Sequence, residues 1–131
     1  MDMWIQLHDF SSSEKNDVSV EQAKEAFSTF DWKSEIDAAK QRKKEKCDAG
    51  IGLVTPDQSI LHICPIDLNS CYAFYSYEIS TKLLGFIPTK RTKDHGIDSL
   101  SFSEALKLIE YHFNGDQEAI LKMTNPQITR H

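Results

Sequence analysis

Two side chains that can do chemistry stand two residues apart near the middle of the chain. His62 and Cys64 lie in an alternating apolar segment, which predicts a β-strand on which both residues point to the same side. Together with Cys71 they suggest a soft metal site, or a thiol activated by an imidazole. No spacing supplies a fourth metal ligand, and His62 is the sole nearby base. We therefore interpret the pair as a partly buried histidine beside a small packed thiol.

A second group of ionisable residues, Asp94, His95 and Asp98, surrounds Gly96. A general acid or base is conceivable there, but polar loops carry such residues by default, and we predict a loop over residues 91–99. The chain contains no GxxxxGK[ST], GxGxxG, HExxH or GxSxG motif. We predict no catalytic, cofactor-binding or metal-binding residue, and an enzyme built around His62, Cys64 and the 94–98 segment stays a third hypothesis.

Length and composition favour one folded domain spanning residues 1–131. Hydrophobic residues make up 40% of the chain, charged residues 27%, and the mean hydropathy is −0.46. No apolar run approaches the ~20 residues of a membrane span, and no secretory signal stands in the first 30 residues. The three cysteines show no CxxC spacing, and an odd number of thiols without a secretory signal indicates a reducing compartment. We expect a cytoplasmic protein with no membrane partner.

The charge is unevenly distributed. The chain has fifteen Lys and Arg residues and twenty Asp and Glu residues, which gives a net charge of −5. Residues 1–39 alone hold nine acidic and three basic residues. An acidic exterior favours a basic protein partner, although it also serves solubility alone. The acidic residues predicted to bind such a partner lie along the first helical region: Glu21, Glu25, Asp31, Glu35 and Asp37.

Two short basic segments interrupt the acidic background. Residues 40–46 (KQRKKEK) carry a net charge of +4, and residues 89–93 (TKRTK) carry +3. These segments, with aromatic residues of the 71–79 segment as stacking platforms, support an alternative: a module that binds nucleic acid. The aromatic residues do not interleave with the bases, so we rank this alternative below a protein partner.

Periodicity predicts an α+β fold in the order β-α-(α)-β-β-β-β-α-α. Met3, Ile5 and Leu7 alternate as a strand, and a polar loop follows over 11–17. Capping boxes at 19–22 and 101–104 start helices. Other caps are predicted at Asp31, which starts a helix running to about Lys46, and at Asp116, which starts a last helix through Met123.

Between these helices lies an aromatic, strand-rich stretch. The predicted strands cover residues 51–54, 60–64, 71–79 and 83–87. Their short connections require antiparallel neighbours. We predict an antiparallel meander sheet of four to five strands with helices packed on one face.

The 71–79 strand divides its side chains between two faces. Tyr75 and Tyr77 share one face with Cys71, while Tyr72 and Phe74 share the other. Tyrosines suit a surface that is partly wet or used for binding. We predict Tyr72, Tyr75 and Tyr77 as aromatic anchors for a partner.

The chain as a whole resembles the bacterial immunity proteins of polymorphic toxin and contact-dependent growth inhibition systems. The likeness lies in the small acidic α+β domain, the meander GIGLV…LHICP…CYAFYSYEI…LLGFIP and the C-terminal segment SFSEALKLIEYHFNGDQEAIL. The resemblance implies a cytoplasmic protein that binds one cognate toxin and blocks its active site or assembly. It also implies an acidic surface that mimics nucleic acid if the toxin is a nuclease. Because no catalytic motif is present, we separately predict no small-molecule substrate.

Overall fold

The computed structural model describes residues 1–41, 47–83 and 87–124, with the backbone alone at 80–83 and 87–89. These residues form six strands and four helices. In chain order the elements are β1 (Asp2–Gln6), β2 (Ser12–Lys15), α1 (Val20–Thr29), α2 (Trp32–Gln41), β3 (Gly50–Val54), β4 (Ile60–Pro65), β5 (Cys71–Leu83), β6 (Ile87–Leu100), α3 (Phe102–Phe113) and α4 (Gln117–Lys122).

All six strands pair antiparallel in one sheet, in the order β2-β1-β3-β4-β5-β6. The helices pack on one face of this sheet, so the predicted α+β class is confirmed. The antiparallel order of β3, β4 and β5 also follows the prediction, whereas β6 covers a segment predicted mostly as a loop, and the sheet has six strands where four to five were expected.

The core lies between the helices and the strand residues that point toward them. Ile51 and Leu53 of β3 are fully buried, as are Leu108 and Ile109 of α3 and Phe27 of α1. Each of these side chains contributes about 1.5–3 kcal/mol when removed from water. This single apolar layer fixes which face of the sheet is turned away from the helices.

The predicted helix starts are confirmed. The Ser19 hydroxyl accepts from the Gln22 amide, and the Ser101 hydroxyl accepts from the Glu104 amide, each within a complete capping box. Asp31 caps α2 by accepting from the Ser34 amide, and Asp116 caps α4. The described part of α2 ends at Gln41, so the predicted extension to Lys46 lies outside the described residues.

The prediction of a loop over 11–17 is wrong in part, because this segment contains strand β2. A tight turn at residues 7–11 folds β2 back on β1, with the Leu7 amide donating to the Ser11 carbonyl over 2.8 Å. All four residues of β2 are exposed. A strand at the sheet edge that buries neither face has no apolar alternation, which is the signal that strand prediction uses.

The segment 91–99, also predicted as a loop, belongs to strand β6. Backbone pairing with β5 holds this segment extended, and its exposed positions accept polar residues without cost. The predicted strand over 83–87 is therefore wrong as an independent element. Its ends belong to β5 and β6, and residues 84–86 lie outside the described part of the chain.

The last two strands extend beyond the rest of the sheet. Pairing between β4 and β5 ends at Ser76, whereas pairing between β5 and β6 continues from Tyr77 to Leu83. This two-stranded extension, residues 77–83 with residues 87–93, is called the ribbon below.

Candidate functional site

The sheet face turned away from the helices carries a row of aromatic side chains. Trp4, Gly52, His62 and Phe74 are successive register partners across β1, β3, β4 and β5. Phe74 is 43% exposed, which is high for a phenylalanine on a central strand. We call this surface the open face and define it by Trp4, Gln6, His62, Tyr72 and Phe74, with the strand residues that share their side.

Two glycines of β3 make room for this row. A Cβ atom on Gly52 would lie 2.0 Å from Cζ2 of Trp4, so the indole rests directly on the Gly52 backbone. A Cβ atom on Gly50 would lie 2.8 Å from Nε2 of His62 and 2.7 Å from Sγ of Cys64. The aromatic rings therefore lie low on the sheet in fixed positions, with the Trp4 and His62 centroids 5.8 Å apart.

The His62–Cys64 pair is brought together as the sequence predicted. Sγ of Cys64 lies 3.7 Å from Nε2 of His62. Burial raises the pKa of the Cys64 thiol to about 11 and lowers the pKa of His62. Both groups are thus held neutral near pH 7, whereas a nucleophilic thiol needs the thiolate. This geometry fits packing on the sheet better than activation.

The candidate acid–base residues Asp94 and His95 lie on opposite faces of the sheet. Asp94 pairs with Ser76 on the open face, whereas His95 pairs with Tyr75 on the helix side. The His95 ring stacks on Tyr77 at 5.7 Å, and both of its ring nitrogens are buried without a hydrogen-bond partner. The two residues therefore do not form one acid–base site.

Carboxylates frame the aromatic row. Asp2, Glu14, Glu78 and Asp94 are exposed and share the strand side of Trp4 and Phe74. Of the strand side chains that the structure describes on this face, only Lys90 is a lysine or arginine. Its Nζ lies 4.0 Å from Oε2 of Glu78. The open face is therefore both aromatic and acidic.

At one end, the open face meets a groove of about 470 Å³ beside α2. Its walls include Glu35, Lys40, Asp48, Ile66 and Tyr72. The Tyr72 hydroxyl donates to Asp48 over 2.8 Å, and burial raises the pKa of Tyr72. Of the eight residues predicted to bind a partner, Glu35 and Tyr72 are the two that meet here.

The other predicted acidic residues lie on the helical layer, away from the open face. Glu21 and Glu25 are exposed on α1. Asp31 caps α2, and Asp37 pairs with Lys33 on the surface of α2. Glu35, also on α2, accepts from the His8 backbone amide over 3.0 Å, and its Oε1 lies 2.8 Å from Nδ1 of the His8 ring. These contacts connect α2 to the end of β1.

Two of the predicted tyrosines point away from the open face. Tyr75 is only 3% exposed and lies edge-on to His112 in the core. Tyr77 packs partly buried against the same core. The alternation predicted for this strand is right, but the helices cover the face with Tyr75 and Tyr77 rather than the face with Tyr72 and Phe74.

The sequence did not point to Trp4, Asp2, Glu14, Glu78 or Asp94 as residues that bind a protein partner, and it pointed to Phe74 only as a stacking platform in the nucleic-acid alternative. Trp4 had a usable signal, because it alternates with Met3 and Ile5 on the opposite side of a predicted strand. The cross-strand register that aligns it with His62 and Phe74 depends on loop lengths and is visible only in the fold.

The structure describes the two basic segments, 40–46 and 89–93, to different extents. Residues 42–46 of the 40–46 segment lie outside the described residues. Lys90, Arg91 and Lys93 of the 89–93 segment are exposed on the ribbon. All three stand on a projecting strand pair, although Arg91 and Lys93 belong to the segment 91–99 that was predicted as a loop.

No protein-family model, curated protein or solved structure matches this chain significantly. Within residues 1–41, 47–83 and 87–124, no three His, Cys, Asp or Glu side chains converge as a metal site. Across the same part of the chain, no helix has the length and apolar character to cross a membrane.

Proposed function

We propose that this protein is a stoichiometric binding protein of the immunity type, which neutralises a basic toxin domain by covering it with the open face. The observation that carries the proposal is the aromatic row on the open face, in which Phe74 is exposed and Trp4 and His62 are partly buried, inside a frame of carboxylates. The alternative of catalysis has no comparable support, because the His62–Cys64 pair is held neutral.

The aromatic row has the properties of a binding hot spot. Aromatic side chains contribute large contact areas at protein interfaces, and a few of them carry most of the binding energy. Trp4 is held by Gly52, so its position costs little ordering entropy when a partner arrives. An exposed Phe74 in the centre of a sheet gains most when water is excluded from it.

The aromatic row supplies binding energy, and the carboxylates around it discriminate between partners by charge. Asp2, Glu14 and Asp94 carry negative charge around the aromatic row, and charges at the rim of an interface act mainly on the association rate. A basic protein is attracted and an acidic one is repelled. The resemblance to immunity proteins makes a toxin domain the natural basic partner.

The test is titration of the purified chain with the toxin domain encoded by the neighbouring gene. The proposal predicts a 1:1 complex of nanomolar affinity or tighter, whose association rate falls steeply with rising salt. Coexpression should also protect cells from the toxin domain. No complex with that domain, or a complex that leaves the toxin active, contradicts the proposal.

One observation supports the nucleic-acid alternative. The exposed bases Lys90, Arg91 and Lys93 stand on the ribbon, and a two-stranded ribbon fits the major groove of DNA. Charge reversal at Lys90 and Arg91 should then abolish binding to a DNA duplex, and the affinity of the parent protein should fall with salt. A flat salt response excludes this alternative.

A further inference from the structure

A small depression on the open face has the composition of a site for one cationic side chain. It measures about 280 Å³ and lies between β1, β2 and the turn after β3. Its lining includes Asp2, Trp4, Glu14, Asn16 and Gln58. The lining therefore combines an aromatic residue, two acidic residues and two amide residues, with Met3 and Val54 completing it.

The Trp4 indole is the fixed wall of this depression. One face of the ring rests on Gly52, where a Cβ atom would come within 2.0 Å of the ring. Trp4 is also one of the residues that line the depression, and its side chain is partly exposed. A tryptophan face is the best aromatic acceptor for a cation.

The two carboxylates flank this wall and have no basic partner among the described residues. Glu14 is the direct register partner of Trp4 across β1 and β2. Asp2 lies two residues before Trp4 on the same side of β1, and its Oδ1 accepts from the Asp17 amide at 3.3 Å. Both side chains are exposed and keep lone pairs free for a further donor.

We propose that this depression receives an arginine side chain of the basic partner, with the guanidinium stacked on Trp4 and bonded to Glu14 and Asp2. This inference rests on the proposed function for the source of the arginine. A guanidinium fits better than an ammonium because it is planar, less strongly hydrated and able to donate to two carboxylates at once.

The first test needs no partner protein. The protein labelled with nitrogen-15 is titrated with N-acetyl-arginine amide while the two tryptophan indole NMR signals are followed. The Trp4 signal should shift, whereas the Trp32 signal should stay still because its indole is buried and donates to the Phe27 carbonyl. N-acetyl-citrulline amide, which is neutral and of nearly the same shape, should bind about tenfold more weakly or worse.

Variants then assign the contacts. Glu14→Gln should weaken binding of the arginine probe by about tenfold, and Trp4→Phe should weaken it less, because phenylalanine is a poorer acceptor for cations. Glu21→Gln, an exposed carboxylate on α1, is the matched control and should leave the affinity unchanged. Equal binding of arginine, lysine and citrulline amides, or no Trp4 shift with any of them, overturns the assignment.

The two proposals fail in different ways. If the toxin domain binds but Glu14→Gln leaves that affinity unchanged and the arginine probe does not bind, the arginine site is wrong and the proposed function stands. If the arginine probe binds through Trp4 and Glu14 but the toxin domain does not bind, the site stands and its assignment to that partner is wrong.

Discussion

Trp4 and Gly52 are a matched pair: the indole of Trp4 occupies the space that any side chain at position 52 would need. They are direct register partners on β1 and β3, and the closest approach of a Cβ atom at position 52 would be 2.0 Å. This contact sets the height of the aromatic row on the open face. It also makes the row sensitive to a change of a single methyl group.

The first prediction concerns this pair. Gly52→Ala should lower the free energy of unfolding by about 1–3 kcal/mol, because the new Cβ atom forces the indole off the sheet. Combining it with Trp4→Leu should recover much of this cost, and a double-mutant cycle by urea denaturation measures the coupling. Strictly additive effects of the two substitutions would show that the contact is not the cause.

The second prediction concerns thiol reactivity. Cys64 and Cys71 are buried, and burial raises their pKa values to about 11 and about 12. With Ellman's reagent at neutral pH, only the partly exposed Cys47 should react in the folded protein, and all three cysteines should react in urea.

Cys47→Ser is the control for the thiol measurement, and this variant should show no fast-reacting thiol. Rapid reaction of Cys64 in the folded protein would mean that His62 activates it. The enzyme hypothesis would then regain its support.

The third prediction concerns pH. Burial lowers the pKa of His112 and of His62 below the ordinary value of 6.5. The unfolded chain therefore binds more protons than the folded chain once pH falls past about 6.5, so the stability from these neutral histidines is lost on acidification. The urea midpoint should fall between about pH 7.5 and about pH 5.5, above the range in which most carboxyl groups titrate.

His112→Gln isolates the contribution of one histidine to this slope. The glutamine amide can still donate to the Leu53 carbonyl, which lies 3.0 Å from Nε2 of His112, but it does not titrate. The variant should show a shallower pH dependence than the parent. A parent midpoint that stays level or rises on acidification contradicts the argument.

The fourth prediction concerns the start of α3, whose residues fill the centre of the core. Ser101→Ala removes the cap on the Glu104 amide and should cost about 1 kcal/mol of stability. Ser103→Ala, two residues further along the chain, is the control and should cost less, because it removes the 3.1 Å contact between the two hydroxyls and leaves the cap on the Glu104 amide in place. Equal losses for both variants would contradict a specific capping role.

The sequence predicted those parts of the fold that are buried on one side. The helix caps and the β3–β5 strands carry short-range signals, such as the Ser101–Glu104 box and the alternation around Tyr75. Strand β2 and residues 90–94 of β6 carry none, because their side chains are exposed and their extended shape comes from pairing with β1 and β5.

The candidate site was harder to predict because it depends on which face the helices cover. The tyrosine-rich side of β5 looks like a binding surface in the sequence, yet Tyr75 is 3% exposed and belongs to the core. The acidic residues on α1 and α2 stand out in the sequence because they share one helical region, but they lie on the opposite layer from Phe74. Only the cross-strand register brings Trp4, His62 and Phe74 together.

We propose that the open face, and not the helical layer with Glu21 and Glu25, contacts the partner. The most direct measurement compares two variants in their affinity for the toxin domain: Phe74→Ala on the open face and Glu21→Gln/Glu25→Gln on α1. We expect the affinity for the toxin domain to fall by about tenfold or more in Phe74→Ala and by less than about twofold in the α1 variant. A large loss for the α1 variant with full affinity in Phe74→Ala would contradict it.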